Sequence, residues 1–156
     1  MKIAYIIAPL VVAVVFLIFP FVLYSGNMIM VVTSDSMLPT LKPYDMIVVE
    51  KDGIDGVKVG DIIAFDSHLE GIGIIVHRAV EVLDDDGEIG ISTKGDNVGE
   101  PDGWTVHDED FIGKVVNSTP SMGIFLIEPV RYAIVAVIVI TSISLLREVM
   151  VKPKAA

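Results

Sequence analysis

The stretch GIIVHRAVEVL, from Gly73 to Leu83, decides the fold class of this chain. Five of its eleven residues are Ile or Val, which favour β-strands. Four more short runs of this kind lie between residues 28 and 116, separated by clusters of Gly, Pro and Asp. No helical period of useful length and no internal repeat occurs in this region. The sequence therefore predicts a mainly β domain, a small folded sheet or barrel-like structure, with its other strands in DMIVVEK, GDIIAFD, GEIGISTK and DFIGKVV.

One tight hairpin is predicted where LDDDGEIGI runs from Leu83 to Ile91. Asp86-Gly87 is the kind of dipeptide that forms a two-residue turn between antiparallel strands. The three consecutive Asp residues lack the spacing of a calcium-binding EF-hand loop, so we interpret them as part of a solvated turn.

No metal or cofactor is predicted to bind. The three histidines, His68, His77 and His107, are not paired at the spacing of metal ligands. The chain has no cysteine, which excludes disulfides, thiol catalysis and zinc sites with cysteine ligands. We therefore expect a function that needs neither a metal nor a cofactor.

The middle of the chain is strongly acidic. The formal net charge of the 156 residues is −10, and 19 of the 21 Asp and Glu residues lie between residues 25 and 127. Such a domain would repel the phosphates of nucleic acid, so a nucleic-acid partner is excluded. We interpret the acidity as the solvated surface of a single domain, which is what a chain of this length can hold.

Residues 3–24 are predicted to form an N-terminal transmembrane anchor. They contain no charged residue and would span about 33 Å as a helix, which matches the hydrocarbon core of a bilayer. A cleaved signal peptide is the alternative interpretation. The apolar run is longer than the ~7–15 residues usual for the core of a signal peptide, which favours an uncleaved anchor.

A second transmembrane helix is predicted at residues 124–146. Its two charged residues lie near its start, and the alternative is a buried core helix. Lys2 precedes the first predicted span, and a basic tail at residues 147–156 follows the second. Because cytoplasmic segments are enriched in Lys and Arg, both termini are predicted to lie in the cytoplasm and residues 25–123 outside it. The prediction is thus a multi-pass protein of the cell membrane.

Polar residues with catalytic potential occur in four places along the predicted domain. They are SDSM at residues 34–37, HR at 77–78, KGDN at 94–97, and an Asp six residues after the Asp of that box. A lone Ser in a turn or a lone His in a strand is more often structural than catalytic. It is the combination of the four in this order that carries functional information.

In these motifs the sequence resembles the type I signal peptidases, in the branch found in archaea and the endoplasmic reticulum. The resemblance implies that Ser36 is the nucleophile and that His77, in the place of a bacterial Lys, is the base. It also implies two functional acidic residues, of which we favour Asp102 as the third member of the triad and Asp96 as its support. Asp35, beside the nucleophile, departs from the Gly of many members.

The residue types suit the hydrolysis of a peptide bond. A Ser hydroxyl needs an adjacent base, an imidazole titrates near neutral pH and can be that base, and a carboxylate orients the imidazole. The Ser36 N–H is predicted to stabilise the oxyanion, and the resemblance adds the Ser34 hydroxyl, whose alternative role is to form the turn. Met37 is predicted to line the substrate pocket or, in its ordinary role, to pack in the core.

The predicted function is that of a membrane-bound serine endopeptidase that removes N-terminal signal peptides from exported proteins. Its predicted partners are preproteins that carry signal peptides, membrane lipid and the protein-export translocon. One alternative is the same peptidase with a Ser–Lys dyad that uses Lys94. Another is a non-catalytic membrane subunit that binds exported chains, against which the presence of Ser36, His77 and both Asp residues argues.

Overall fold

A seven-stranded antiparallel sheet forms the region between residues 28 and 119. The structure, a computed structural model, describes residues 7, 9–15, 18, 28–68, 71, 73–85 and 88–151. The strands are β1 (Met28–Val31), β2 (Met46–Glu50), β3 (Ile62–Asp66), β4 (Ile74–Asp85), β5 (Glu88–Lys94), β6 (Thr105–Val106) and β7 (Phe111–Thr119). Their order in the sheet is β1-β2-β7-β3-β4-β5-β6. The predicted mainly β fold is therefore confirmed.

In the part of the chain that the structure describes, the sheet is open and does not close into a barrel. Among the described residues, β1 and β6 each pair with a single neighbour, so they are its two edges. The register is irregular in three ladders, β2–β7, β3–β7 and β4–β5, and such bulges bend a strand and increase its twist. Of the two forms predicted, the strand pairing produces the folded sheet and not the barrel.

Both faces of the sheet are packed. Side chains alternate between the two faces along a strand, and on β3 Ile63 and Phe65 belong to one hydrophobic cluster whereas Ala64 belongs to another. We call them the Phe65 cluster and the Ala64 cluster. The buried members of the Phe65 cluster are Ile54, Val57, Ile63, Phe65, Ala79, Ile91 and Val106, and those of the Ala64 cluster are Val32, Met37, Leu41, Ile47, Val49 and Ala64.

The predicted hairpin is confirmed by the pairing of β4 with β5. Asp85 pairs with Glu88, and the two residues between them, Asp86 and Gly87, lie outside the described residues. β4 pairs with β3 through its first five residues and with β5 from Arg78 onward. The residues around position 77 therefore lie where the two ladders of β4 meet.

The chain divides into two compact units, of which the sheet domain is Gly26–Ile124 and the terminal segments are the other. The C-terminal segment contains helix α1 (Glu128–Val151). Within the described part of the chain, α1 is the one helix long and apolar enough to cross a bilayer, with a mean hydropathy of 1.6 over Glu128–Leu145. The predicted N-terminal anchor at residues 3–24 lies mostly outside the described residues, although residues 9–15 are helical. One membrane-type helix is thus seen where two flanking helices were predicted.

Gly113 on β7 marks a close approach between strands, and its replacement tests the packing of the sheet. A Cβ at this position would clash with the Glu50 carbonyl oxygen and would lie 2.9 Å from Val49 Cγ1 on β2. We expect Gly113→Ala to lower the free energy of unfolding by about 1–3 kcal/mol, because the β2 backbone cannot move aside without breaking its ladder. Denaturant unfolding of the detergent-solubilised protein, followed by circular dichroism, measures this change.

Gly56→Ala is the matched control, because no atom lies within 4 Å of a Cβ built at Gly56. This variant should change the free energy of unfolding by less than about 0.5 kcal/mol. Equal stabilities of the wild type and Gly113→Ala would contradict the close approach of β7 to β2.

Candidate active site

Ser36 lies in the turn that follows β1. Backbone hydrogen bonds close this turn, one from the Leu38 N–H to the Asp35 carbonyl at 3.1 Å. A second runs from the Leu41 N–H to the Met37 carbonyl at 3.0 Å. Met37 and Leu41 are only 1% and 2% exposed and belong to the Ala64 cluster. These two apolar side chains anchor the turn, so the position of Ser36 is fixed by the core beneath it.

Ser34 places a second hydroxyl beside that of Ser36. The two Oγ atoms are 3.1 Å apart, and either hydroxyl can donate to the other. Ser34 is exposed and Ser36 is half-buried. Asp35, between them, is exposed, and its side chain forms no hydrogen bond or ion pair within the part of the chain that the structure describes. The two hydroxyls are therefore close enough to contact one small chemical group together.

His77 on β4 connects the Ser36 hydroxyl to a carboxylate. Its Nε2 lies 3.0 Å from Ser36 Oγ, and its Nδ1 lies 2.6 Å from Asp102 Oδ2. Only 10% of the His77 side chain and 9% of the Asp102 side chain are exposed. When Nδ1 carries the proton that Asp102 accepts, Nε2 of the neutral ring is free to accept the proton of Ser36. Hydroxyl, imidazole and carboxylate thus form one hydrogen-bonded chain.

The loop that follows β5 brings Asp102 to His77. The Asp102 N–H donates to the Thr93 carbonyl at 2.8 Å, and the Thr93 hydroxyl donates to Asp102 Oδ2 at 2.6 Å. Thr93 is fully buried on β5, where it pairs with Ala79 of β4. The carboxylate is therefore tied to the sheet through Thr93 as well as through the imidazole.

Asp96 pairs with Arg78 instead of the imidazole. Arg78 donates to both carboxylate oxygens, from Nε at 2.8 Å and from Nη2 at 2.6 Å, and from Nη1 to the Gly60 carbonyl at 2.7 Å. The Thr40 hydroxyl also donates to Asp96. The hydrogen bonds from Arg78 lower the pKa of the Asp96 carboxyl against the opposing effect of burial. Asp96 therefore braces the loop and does not touch the imidazole.

The KGDN box packs directly on the turn that carries the hydroxyls. Asn97 donates from its backbone N–H to the Ser36 carbonyl at 2.7 Å and from its side-chain amide to the Asp35 carbonyl at 3.2 Å. Gly95 leaves no room for a side chain, because a Cβ there would lie 2.8 Å from the Ser36 carbonyl oxygen and 3.0 Å from His77 Nε2. The box thus holds the backbone of Ser36 close to the imidazole.

The other two histidines have different partners. His68 Nε2 lies 2.8 Å from an Asp110 oxygen, and His107 Nδ1 lies 3.6 Å from a Glu88 oxygen. Among the described residues, no group of three or more His, Asp or Glu side chains could hold a metal ion. Of the three histidines, His77 is the one placed for general-base chemistry on a hydroxyl.

A cleft of about 270 Å³ opens beside Ser36 and His77. It is lined by the end of β1, the turn and the start of β4. Met37 lies in its wall and also in the Ala64 cluster, so its position is compatible with the predicted pocket role and with the predicted core role. The lining is mostly apolar; beside Ser34, Ser36, Met37 and His77 it consists of Val31, Val32, Thr33, Leu41, Ile74, Ile75 and Val76.

Three side chains of the site carry no role that the sequence patterns reveal. Arg78 stands in the HR motif and Thr93 directly precedes the KGDN box, so their places beside the motifs are the one available signal. Thr40 has no such signal, because its hydrogen bond to Asp96 joins residues 56 positions apart.

Comparison with known proteins supplies the family. The sequence model of the family described as signal peptidase, peptidase S26, matches residues 2–100. The chain belongs to the signal peptidase family. The signal peptidase complex catalytic subunit SEC11C of Rattus norvegicus is 32% identical to it over 128 aligned residues, which cover 72% of this chain and 65% of the relative. The predicted resemblance is thereby confirmed, while the match spans just under two thirds of this curated relative.

The ion pair between Arg78 and Asp96 should stabilise the fold in a pH-dependent way. Because the pKa of Asp96 is lowered in the folded protein, its contribution is complete above the ordinary carboxyl pKa of about 3.9 and is lost as the pH falls through the lower folded value. We expect Asp96→Asn to lower the free energy of unfolding near neutral pH by about 1–3 kcal/mol, and to differ less from the wild type in acid. Urea unfolding of the detergent-solubilised protein at a series of pH values measures both effects.

Asp52→Asn is the matched control, since Asp52 is exposed and has no ion pair with a described residue. It should change the free energy of unfolding by less than about 0.5 kcal/mol at every pH. If Asp96→Asn differed from the wild type by the same amount near neutral pH and in acid, the charge of Asp96 would not be what stabilises the loop.

Proposed function

We propose that this protein is a membrane-anchored serine endopeptidase that removes N-terminal signal peptides from exported proteins. One observation carries the proposal: in a member of the signal peptidase family, Ser36, His77 and Asp102 form a continuous hydrogen-bonded chain beside a cleft. A non-catalytic subunit would be expected to have lost part of this set. The chemistry requires only these side chains, hydrogen-bond donors for the oxyanion and a water molecule.

In the first half of the proposed reaction, Ser36 Oγ attacks the carbonyl carbon of the scissile peptide bond. His77 Nε2 takes the hydroxyl proton and then gives it to the leaving amine, so the C–N bond breaks and an ester to Ser36 remains. In the second half, His77 takes a proton from a water molecule whose oxygen attacks the ester carbon. It then gives this proton to Ser36 Oγ as the ester C–O bond breaks, which releases the new carboxyl group and regenerates Ser36. Asp102 holds the Nδ1–H in place and stabilises the imidazolium that forms in each half.

The tetrahedral intermediates of both halves carry an oxyanion that needs donors near Ser36. We assign this role to the Ser36 N–H, which donates to no other described residue, and to the Ser34 hydroxyl. The Ser34 oxygen lies 3.1 Å from Ser36 Oγ, so a carbonyl bonded to Ser36 would lie within its reach. Donors of this kind are effective because they are already in place when the negative charge develops.

The cleft beside Ser36 suits a peptide with apolar side chains. Its walls include Met37, Ile75 and Val76, so the surface beside the Ser36 hydroxyl is largely apolar. A charged side chain buried there would lose its hydration without gaining a partner, whereas a small apolar one gains from leaving water. We propose cleavage after a small residue because the sequence resembles the signal peptidases, and the apolar walls of the cleft disfavour a charged residue there.

We assign both terminal segments to the membrane, with the termini in the cytoplasm and the sheet domain at residues 25–123 outside. The apolar helix α1 supports one span; the charge-free run at residues 3–24 and the basic residues outside both runs support the other span and the orientation. Signal peptides end just outside the apolar segment that spans the bilayer. Ser36 is twelve residues after Tyr24, at most about 40 Å of extended chain, so the anchor would keep the nucleophile near that surface.

The proposed partners follow from this placement. Preproteins that carry signal peptides are the substrates, membrane lipid surrounds the two spans, and the protein-export translocon delivers the substrates. The rat relative is, by its name, the catalytic subunit of a signal peptidase complex. We propose the catalytic role for this chain as well.

A Ser–Lys dyad is the alternative mechanism, and the contacts of Lys94 disfavour it. Lys94 Nζ donates to the Gly99 carbonyl at 2.9 Å, whereas the group 3.0 Å from the Ser36 hydroxyl is the His77 imidazole. A lysine base must reach the hydroxyl as a neutral amine, so Lys94 would have to give up this contact and lose its proton.

Cleavage of a membrane-inserted preprotein by the purified full-length protein tests the proposed function. Ser36→Ala and His77→Ala should abolish detectable cleavage, because each removes a group that transfers the proton or forms the ester. Asp102→Asn should lower kcat roughly 10⁴-fold, because the amide favours the wrong tautomer of the imidazole. Lys94→Ala and His68→Ala are the controls, and both should retain activity within a few-fold of the wild type.

Circular dichroism spectra and unfolding midpoints establish that each variant is folded. Equal cleavage by the wild type and Ser36→Ala would refute the Ser nucleophile. A wild type that binds preproteins without cutting them would favour the non-catalytic subunit. An active His77→Ala together with an inactive Lys94→Ala would instead favour the Ser–Lys dyad.

Ser34→Ala tests the proposed oxyanion donor. We expect kcat to fall about 10²- to 10³-fold with little change in KM, because the lost hydrogen bond is strongest in the transition state. Steady-state cleavage rates at a series of preprotein concentrations separate the two constants. Ser118→Ala, at an exposed position on β7, is the control and should leave both unchanged. A rise in KM with an unaltered kcat would assign Ser34 to substrate binding instead.

A further inference from the structure

The buried hydroxyl of Thr93 donates to the same carboxylate oxygen that faces the imidazole. Thr93 Oγ1 and His77 Nδ1 both lie 2.6 Å from Asp102 Oδ2. Thr93 is 0% exposed, so this hydroxyl has no access to water in the folded protein. A polar group buried so completely requires a partner, and Asp102 is the partner that Thr93 has.

Asp102 depends on such contacts because of where it lies in the chain. It belongs to the segment between β5 and β6, which contains no strand or helix of its own around position 102. The Thr93 carbonyl accepts the Asp102 N–H at 2.8 Å, so Thr93 binds both the backbone and the side chain of this residue. Thr93 itself lies in β5, where it pairs with Ala79 of β4.

We propose that Thr93 is a positioning residue for the peptidase reaction: its hydroxyl fixes the Asp102 carboxylate so that Oδ2 faces His77 Nδ1. This inference rests on the proposed function, in which the orientation of the imidazole directs Nε2 at the Ser36 hydroxyl. In this role Thr93 contacts neither the substrate nor the Ser36 hydroxyl, and it acts only through the Asp102 carboxylate.

Thr93 matters because the Asp102 carboxylate can rotate about its side-chain bonds. The His77 imidazole, which is hydrogen-bonded to it, would change its orientation as well. A hydrogen bond from a hydroxyl to an ionised carboxylate is short and strong, and 2.6 Å lies in the range of such bonds. Without this donor the Asp102 carboxylate has one side-chain partner, the His77 imidazole. The carboxylate can then rotate, and the imidazole that is bonded to it becomes less well fixed. Catalytic groups displaced by about 1 Å can lose roughly 10²-fold in rate.

The ordinary explanation for a Thr at this position is strand packing. A β-branched residue suits a buried position of a strand, and Val would fill it with nearly the same shape. Packing alone therefore requires the branched shape and not the hydroxyl. Thr93→Val and Thr93→Ser separate the two explanations, since the first keeps the shape and the second keeps the hydroxyl.

Kinetics of the full-length protein in detergent, with a membrane-inserted preprotein as substrate, provide the test. We expect Thr93→Val to lower kcat roughly 10- to 100-fold with KM nearly unchanged, and Thr93→Ser to recover most of the wild-type kcat. Thr105→Val, on the neighbouring strand β6, is the matched control and should behave as the wild type. The unfolding midpoint of each variant shows how much of any loss comes from unfolded protein.

A second readout reports on the imidazole without relying on cleavage. The His77 Nδ1 proton, observed by nuclear magnetic resonance in the wild type, should shift or broaden in Thr93→Val and return toward its original position in Thr93→Ser. The pH profile of kcat/KM should move in Thr93→Val alone. A residue that merely packs would alter the unfolding midpoint and leave this signal and this profile in place.

The outcomes distinguish this inference from the proposed function. A Thr93→Val variant that is folded, active within about threefold of the wild type and unchanged in its Nδ1 signal would overturn the positioning role. So would a Thr93→Ser variant as impaired as Thr93→Val, because the hydroxyl would then not be the group that matters. If the wild type itself failed to cleave, the proposed function would fall, and an Nδ1 signal unchanged in Thr93→Val would overturn the positioning of Asp102 separately.

Discussion

The hydrogen bond between His77 and Asp102 is the contact on which the whole arrangement depends. It joins a strand of the sheet to an irregular loop, with both side chains about nine-tenths shielded from water. A carboxylate shielded to that degree is costly unless it is hydrogen-bonded, so Asp102 needs its two donors, and the loop that carries it must adopt the conformation that supplies them. The same bond decides which imidazole nitrogen faces Ser36, and thereby links the folding of the loop to the chemistry of the site.

Two adjacent residues of β4 bind two different carboxylates of one loop. His77 Nδ1 lies 2.6 Å from Asp102 Oδ2, and Arg78 Nη2 lies 2.6 Å from Asp96 Oδ2. A guanidinium keeps its proton at every accessible pH and grips a carboxylate with two bonds, so it suits a permanent brace. An imidazole can both accept and release a proton, so it suits the position beside a hydroxyl. The pair thus separates holding the loop from moving a proton.

The sequence predicts local features of this protein better than long-range ones. Runs of Ile and Val identify five of the seven described strands, and Asp86-Gly87 marks the hairpin, because both depend on neighbouring residues. The short edge strands β1 and β6 are not predicted. No local pattern in the sequence predicts that β7 lies between β2 and β3, because these pairings join residues far apart in the chain. The order of the polar motifs identifies the candidate site, but Asp96 and Asp102 lie six residues apart on one loop and only the folded loop shows which meets the imidazole. The buried Thr93 hydroxyl likewise gains its meaning from the fold.

The two hydrophobic clusters explain how the side chains of the site keep their positions relative to one another. Met37 and Leu41 anchor the turn of Ser36 in the Ala64 cluster. Ala79 and Ile91, which lie near Thr93 on the paired strands β4 and β5, belong to the Phe65 cluster. The hydroxyl and the carboxylate are therefore supported by cores on different faces of the sheet, and the imidazole lies between them. Close packing makes each core resist deformation, so the 3.0 Å distance between Ser36 and His77 depends on how firmly the two cores are joined. Gly95 and Asn97 join the loop that carries Asp102 to the turn that carries Ser36, through close packing and hydrogen bonds to the backbone of the turn. The KGDN box therefore positions the nucleophile, although none of its described side chains contacts the Ser36 hydroxyl.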